Sequence, residues 1–220
     1  TISLSNNSGV ALTVDNSATY VDIPVHSTSS NGGGHSGGSS GGNAADTQPP
    51  ADNTTGSAVQ TGSFSDVNTG NWYYSAVEYV AKKGIMTGIS ASSFGPNLDT
   101  TRGMIVTILY RLENQPTGTE AAAFSDVRAG QYYADAIAWA NANGIVTGYG
   151  NGLFGPNDAI TREQMAAILY RYAQYKEYDV SASAELTAFS DAANVSRYAV
   201  DAMKWANAAG LINGVTSSKL

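Results

Sequence analysis

Two arginines, Arg102 and Arg162, are the side chains that the sequence places best for chemistry. Each directly follows a threonine that we expect to start an apolar helix, so each guanidinium lies at the positive end of a helix dipole. That position is unfavourable for a cation by roughly a few tenths of a kcal/mol or more. Because the same unfavourable placement occurs twice, we infer that each arginine has an anionic partner. A carboxylate fits the guanidinium fork, and backbone N–H groups at a helix start can bind the same anion.

The anionic partner of these arginines could belong to the protein or to a ligand. Three aspartates recur in Phe-Ser-Asp phrases and are the candidate internal partners: Asp66, Asp126 and Asp191. On the residues alone, the two explanations are equally well supported. An internal pair that opens for a ligand would satisfy both.

Composition excludes several other kinds of site. The formal net charge is −7 and the chain has no cysteine, so we expect neither general nucleic-acid binding nor thiol chemistry, disulfides or thiolate metal sites. The histidines, His26 and His35, lie in or beside a Gly/Ser-rich segment that cannot hold metal ligands in a fixed geometry. No apolar run approaches the roughly 20 residues that cross a bilayer. We therefore predict no cofactor, no metal and no membrane span.

Catalysis by this chain is not predicted either. No histidine follows His35, and the acidic residues of the C-terminal part are scattered singly, whereas hydrolytic sites need paired carboxylates or a Ser–His or metal constellation. A calcium loop at residues 150–163 is the nearest alternative, but its carboxylates are Asp158 and Glu163 alone, without the alternating ligands of such loops. Any catalytic centre is expected upstream, outside this chain.

The arginines lie in a unit that recurs about every sixty residues, which is typical of a repeat architecture. Each unit opens with Phe-Ser-Asp, at residues 64–66, 124–126 and 189–191, and continues with an aromatic residue and a short apolar helix. In the first two units a Phe-Gly-Pro-Asn loop, Thr-Arg and a second amphipathic helix follow. Each unit is too small for a core of its own. We predict an all-α module whose units pack together with the second helices central.

The two second helices differ at their first turn. Thr161 and Gln164 of the second unit predict a capping box, in which side chain and backbone groups satisfy each other. In the first unit, Gly103 and Met104 follow the Thr-Arg motif, so Met104 occupies the position of Gln164. We therefore expect a weaker helix start there.

The N-terminal part has a different composition. Residues 1–25 contain three short β-branched runs separated by turn residues, which indicates the C-terminal strands of an upstream β-domain. Residues 26–62 are rich in Gly and Ser with one Pro-Pro element, which predicts a flexible linker. We expect the chain to be a piece of a longer protein.

With Phe-Ser-Asp, the aromatic residue, Phe-Gly-Pro-Asn and Thr-Arg all at fixed offsets, the chain resembles the S-layer homology domain family in three tandem copies. The copies are residues 63–116, 117–180 and 181–220. The resemblance implies a pseudo-threefold bundle of helix-loop-helix repeats. It also implies attachment of a bacterial surface protein, without a covalent bond, to secondary cell-wall polysaccharide, often through a pyruvate-ketal sugar held in grooves between repeats. The Thr-Arg arginine is the implied ligand contact, here Arg102 and Arg162.

Further candidates for ligand contact surround those arginines. Aromatic rings could stack on sugar faces, aspartates could contact the ligand, and glycines in the loops allow the backbone to approach it. The structural alternatives are that the rings seat the loop, which we favour for Tyr198, and that the aspartates build turns, which we favour over ligand contact. The ligand-binding candidates beside the arginines are Trp72, Tyr132, Asp66, Asp126, Gly95 and Gly155.

Other aromatic residues and the third copy carry structural predictions. Tyr79, Trp139 and Trp205 fall in mid-helix and are expected to pack in the core or between repeats. The third copy reaches Leu220, which corresponds to Phe94 and Phe154, and so lacks the loop, the Thr-Arg motif and the second helix. We therefore expect exposed apolar surface on residues 105–112 and 165–172, and marginal stability unless another segment or chain covers them.

The sequence thus predicts a non-catalytic, extracellular anchoring module that binds anionic wall glycan and is tethered to an upstream domain of the same protein. Two alternatives stay open. The module could assemble with another chain that completes its half-core, or it could be the accessory wall-binding part of a larger extracellular enzyme.

Overall fold

The computed structural model describes residues 2–5, 11–14, 64–122 and 124–220. In this part of the chain the fold is the predicted all-α module, with short loops and three 3-10 turns between its helices. The α-helices are α1 (Tyr74–Lys82), α2 (Arg102–Leu112), α3 (Ala134–Ala142), α4 (Arg162–Tyr175) and α5 (Val200–Ala208).

Two short strands stand apart from the helices in sequence. β1 (Ile2–Ser5) and β2 (Ala11–Val14) pair antiparallel, with Ile2 opposite Val14. Two of the three predicted β runs are therefore strands. The third run, at residues 20–25, and the predicted linker with His26 and His35 lie outside the described residues.

The starts of α2 and α4 show why the two repeats are not equivalent. The predicted capping box of α4 is present: Gln164 N donates to Thr161 Oγ1 at 3.2 Å and Thr161 N donates to the Gln164 side chain at 3.3 Å. Helix α2 has only the threonine cap. Its next free N–H groups, of Arg102 and Gly103, instead donate to carbonyl oxygens of the following repeat's loop, at 3.0 and 2.9 Å. The weaker start is thus completed from outside the helix.

The helices pack in pairs that cross the repeat boundaries. Helix α2 packs against α3, and α4 packs against α5, more extensively than α2 and α4 contact each other. The same ring contact marks both pairs, because Tyr110 lies 5.8 Å from Trp139 and Tyr170 lies 5.4 Å from Trp205 between ring centroids. The two second helices also share one core with α3, to which Val106 and Leu109 of α2 and Ile168 of α4 contribute. The second helices are therefore central in sharing this core, but the most extensive packing of each is on the first helix of the next repeat.

Within the described residues, no second helix packs on α1 in the way that α2 packs on α3 and α4 packs on α5. Tyr79, which corresponds to Trp139 and Trp205, is 61% exposed, whereas the two tryptophans are 2% and 3% exposed. The core prediction is confirmed for the tryptophans and wrong for Tyr79. The physical reason is that no second helix of the described chain lies against α1, whose buried contacts are with its own repeat through Val77 and Ala81.

The predicted exposed half-core is present only in part. Leu112 is 44% exposed, and Ile105, Met165 and Leu169 are half-buried. Val106, Leu109 and Ile168 are buried, since they join the α3 core. Hydrogen bonds also join the C-terminal ends of α2 and α4, where Glu113 accepts from Tyr172 Oη at 2.6 Å and from Lys176 Nζ at 2.9 Å.

Candidate functional site

Arg102 is a buried cation at the start of α2. Its side chain is held by the loop of the second repeat, since Nε donates to the carbonyl oxygen of Phe154 at 2.9 Å. The guanidinium carbon lies 4.5 Å from the ring centroid of Tyr149 and 4.7 Å from that of Phe154. Arg102 is only 6% exposed. The two ring faces attract the cation and offset part of its desolvation cost.

Arg102 has no carboxylate partner within the described residues. The ion pairs found there, Lys176–Glu113 and Lys204–Glu185, do not include it. The bond from Nε is the one hydrogen bond that its guanidinium makes in this part of the chain, so the terminal amino groups are unpaired. An internal ion pair with a Phe-Ser-Asp aspartate is therefore excluded for Arg102. Buried charges are normally paired, so this arrangement is unusual.

The unpaired end of Arg102 lies at a cleft of about 410 Å³. All three repeats contribute to this Arg102 cleft: Arg102 comes from the first, the loop at residues 146–149 and one face of α4 from the second, and Tyr198 from the third. The polar and aromatic lining consists of Arg102, Tyr149, Glu163, Gln164, Arg171 and Tyr198.

Glu163 joins the second repeat to the third at the wall of the cleft. Its carboxylate accepts from Ser196 N and Ser196 Oγ, both at 2.8 Å, and from Tyr198 Oη at 3.0 Å. Burial alone would raise the pKa of Glu163, but these hydrogen bonds outweigh it and the pKa is lowered. Burial and the hydrogen bond to Glu163 raise the pKa of Tyr198 to about 12. At neutral pH the wall therefore carries a fixed carboxylate and a neutral phenol.

The Phe-Ser-Asp aspartates fix the loops that follow Gly148 and its counterparts. Asp126 accepts from Phe154 N at 2.9 Å and from Gly155 N at 2.7 Å, and so sets the loop that holds Arg102. Gly155 has φ +71°, and a Cβ there would lie 2.3 Å from Asp158 Oδ2. Asp126 binds backbone N–H groups, but not in the turn that directly follows it as expected: its partners lie 28 and 29 residues further along the chain.

The first repeat contains the same loop clamp. Asp66 accepts from Ser93 Oγ at 2.6 Å and from the backbone N–H groups of Phe94 and Gly95, each at 2.8 Å. The hydroxyl of Ser93 is the largest cause that lowers the pKa of Asp66 to about 2, with burial acting in the opposite direction and the two amides adding to the decrease. In the third repeat, Asp191 accepts from Leu220 N at 3.0 Å, so the clamp recurs there.

The other predicted contacts do not line the Arg102 cleft. Arg162 is exposed, and its guanidinium donates to the carbonyl oxygen of Asn213. Trp72 is 65% exposed and lies edge-on to Tyr73, while Tyr132 is half-buried and lies edge-on to Tyr133. Of the eight predicted residues, the structure brings together Arg102, Asp126 and Gly155, the last two behind the loop.

Four polar or aromatic residues of the cleft were not among the predicted ligand contacts: Tyr149, Glu163, Gln164 and Arg171. Glu163, Ala167 and Arg171 follow one another at intervals of four, which places them on one face of a helix. That spacing was a signal that α4 presents a polar stripe beside its apolar one. Tyr149 had no such signal, because its counterpart in the first repeat is Ile89.

Comparison with known proteins gives consistent results. The sequence profile of the S-layer homology domain matches residues 63–103, 123–166 and 188–220. The chain is 36% identical over 155 residues to an amylopullulanase of Thermoanaerobacterium thermosulfurigenes, covering 69% of this chain and 8% of that protein. It is 34% identical over 164 residues to an endoglucanase of Bacillus sp. (strain KSM-635), covering 74% and 17%. It is 34% identical over 107 residues to the S-layer protein sap of Bacillus anthracis, covering 48% and 13%.

This chain therefore spans less than a fifth of the length of each of these relatives. Within the described residues, no helix is long and apolar enough to cross a membrane. The same residues contain no group of three or more His, Asp or Glu side chains that could hold a metal ion.

Proposed function

This chain belongs to the S-layer homology domain family, and we propose that it is a non-catalytic anchoring module that binds an anionic, pyruvylated secondary cell-wall polysaccharide. Domains of this family anchor surface proteins to the cell wall, which indicates a location at the cell surface or in the wall. The proposed repeats are residues 63–116, 117–180 and 181–220. The upstream part of the same protein, joined through residues 26–62, would be its cargo.

The buried, unpaired guanidinium of Arg102 is the observation that carries this proposal. No carboxylate of the described residues forms an ion pair with it, and Arg102 lines an open cleft. A ligand carboxylate would supply the missing charge and accept two hydrogen bonds in parallel. The site is partly withdrawn from water, so the pair would be stronger than a surface ion pair.

The rest of the cleft suits a sugar. Tyr149 and Tyr198 are 43% and 54% exposed at its rim and present flat apolar faces. Asp126 and Gly155 would act indirectly, by fixing the loop that holds Arg102. In the first repeat, Asp66 and Gly95 would fix the equivalent loop in the same way. A pyruvate ketal carries a carboxylate directly on a sugar ring, which matches this combination of cation and aromatic surface.

Arg162, Trp72 and Tyr132 are proposed contacts of lesser weight. Arg162 follows the same motif as Arg102 but is exposed, and it would reach a ligand only by leaving Asn213. Trp72 and Tyr132 occupy equivalent positions in the first and second repeats, and Tyr198 is their counterpart in the third. Since Tyr198 lines the Arg102 cleft, its counterparts would border equivalent clefts.

Two alternative functions each rest on one observation. The glycosidase names of two relatives favour an accessory wall-binding part of a larger extracellular enzyme, in which the module itself remains non-catalytic. The exposed face of α1 around Tyr79 favours a protein–protein assembly module that another chain completes.

Co-sedimentation with purified bacterial wall sacculi tests the proposed function. Half of the sacculi would be stripped of secondary polymer with acid. We expect the chain to pellet only with the unstripped half. Pelleting with both would identify peptidoglycan as the partner, and pelleting with neither would favour the assembly alternative.

The arginine sites are tested by substitution. Arg102→Ala and Arg162→Ala should each weaken sacculus binding, with the larger effect at Arg102 because it is the buried, unpaired cation. Arg128→Ala is the matched control, since it removes one exposed positive charge of the second repeat that does not line the cleft. Circular dichroism would check that helix content is unchanged. Wild-type retention by the double variant would rule out the arginine site.

A further inference from the structure

Arg171 is a second free cation at the Arg102 cleft. It lies on α4, is half-buried and lines the same cleft. Within the described residues it makes neither an ion pair nor a hydrogen bond. Its counterpart in the first repeat, Arg111, donates to the Ile85 carbonyl oxygen at 3.5 Å and to Thr87 Oγ1 at 3.4 Å. The same repeat position is therefore used by the protein in one repeat and left unused in the other.

The charges around the cleft do not balance. Two guanidiniums, of Arg102 and Arg171, and one carboxylate, of Glu163, line it. Glu163 forms no ion pair with either arginine, and its oxygens accept instead from Ser196 and Tyr198. Two like charges that line one partly desolvated cleft repel each other, and an anion bound in the cleft would offset that repulsion.

We propose that Arg102 and Arg171 form a clamp that binds a single anionic group of the ligand between two guanidinium forks. This inference rests on the proposed function, because it takes the Arg102 cleft as the glycan site. The chemical class of ligand is a sugar that carries one carboxylate or one phosphate. Glu163 lies two turns before Arg171 on the same face of α4, where its carboxylate would accept a hydrogen bond from a sugar hydroxyl and repel a second anionic group.

Competition for sacculus binding identifies the anionic group. The probes are glucuronate, glucose 6-phosphate and neutral glucose, each added to the full chain with unstripped sacculi. We expect glucuronate or glucose 6-phosphate to release the chain from the wall and glucose not to, and the more effective of the two tells carboxylate from phosphate. Equal release by all three, or release by none at concentrations up to tens of millimolar, would overturn the clamp.

Substitution tests whether Arg171 shares the anion with Arg102. Arg171→Gln keeps most of the side-chain stem, so the variant should fold, and it should weaken sacculus binding about tenfold, as expected for a lost charge-assisted hydrogen bond. Arg171→Lys should recover only part of this loss, since lysine lacks the planar fork. Arg128→Gln is the control for removal of a charge.

The double variant decides between a shared and a separate role. If both arginines bind one group, Arg102→Ala and Arg171→Gln together should cost less than the product of their separate fold-losses. A strictly multiplicative loss, or wild-type binding by Arg171→Gln, would overturn the clamp. The failures are distinguishable: loss by Arg102→Ala with none by Arg171→Gln refutes only the clamp, whereas no loss by either refutes the proposed function as well.

Discussion

Arg102 and Arg162 follow the same threonine in the same motif, yet their surroundings differ completely. Arg102 is enclosed by Tyr149 and the Phe154 ring of the next repeat, and Arg162 is exposed and bonds the Asn213 carbonyl oxygen. The motif predicted both arginines as ligand residues, since their helix-start position is identical. It could not predict the burial of one alone, because burial depends on a loop about fifty residues further along the chain.

At the same scale, the aspartate clamp makes the stability of the first repeat depend on pH. The pKa of Asp66 is about 2 in the fold, below the ordinary aspartate value of 3.8. A lowered folded pKa adds stability above the unfolded pKa, and that stability is lost as the pH falls through the folded value. We therefore expect the free energy of unfolding, measured with urea, to decrease between about pH 4 and pH 2.

The variant Asp66→Asn should lack this part of the pH dependence and should be less stable than the wild type at pH 7, since an amide cannot accept from all three donors equally. Asp99→Asn is the matched control, because Asp99 is exposed and outside the clamp. An unchanged pH dependence in Asp66→Asn would mean that the clamp is not formed in solution.

At the scale of the element, α2 and α4 begin with the same threonine and complete their first turns differently. Helix α4 closes its own start with Gln164, whereas α2 borrows the carbonyl oxygens of Pro156 and Asp158 from the next repeat. The capping box was predictable because its residues are three apart. The cap that α2 receives from the next repeat was not predictable, because it joins residues more than fifty positions apart. The close contact with that loop explains why a weak helix former, Gly103, is present there.

Gly103→Ala tests this borrowed cap. In a helix this change normally stabilises by about 0.5–1 kcal/mol. Here an added Cβ would lie 2.8 Å from the Pro156 carbonyl oxygen and 3.2 Å from the Tyr133 ring, so we expect destabilisation by about 1–3 kcal/mol. Urea unfolding followed by circular dichroism measures the effect.

The same displacement of the loop should also weaken sacculus binding, because that loop holds Arg102. Gly70→Ala is the control, since a Cβ at Gly70 would meet no atom within 4 Å. A stabilising Gly103→Ala would show that the loop does not dock on α2.

At the scale of the whole molecule, each repeat depends on the one before it. The second helix of one repeat packs on the first helix of the next repeat, and each of these helix pairs contains a tyrosine–tryptophan ring contact. The sequence period predicted apolar stripes on α1 to α4, and these are buried in part: Val77 and Ala81 of α1 are buried, whereas Ala76 is exposed. It could not predict which stripe is covered, because α1, α3 and α5 carry similar stripes and only their neighbours differ. The half-core is consequently exposed mainly at α1, where Tyr79 lies, instead of along the inner faces of α2 and α4.

This dependence predicts unequal costs for equivalent aromatic truncations. Trp139→Ala and Trp205→Ala should each destabilise by about 3–5 kcal/mol, as expected for a large buried ring. Tyr79→Ala should change the free energy of unfolding by less than about 0.5 kcal/mol, because an exposed side chain away from other features contributes little. Urea unfolding of the three variants at two protein concentrations measures both quantities. A large, concentration-dependent cost for Tyr79→Ala would contradict the prediction and show that a second copy of the chain covers α1 in solution.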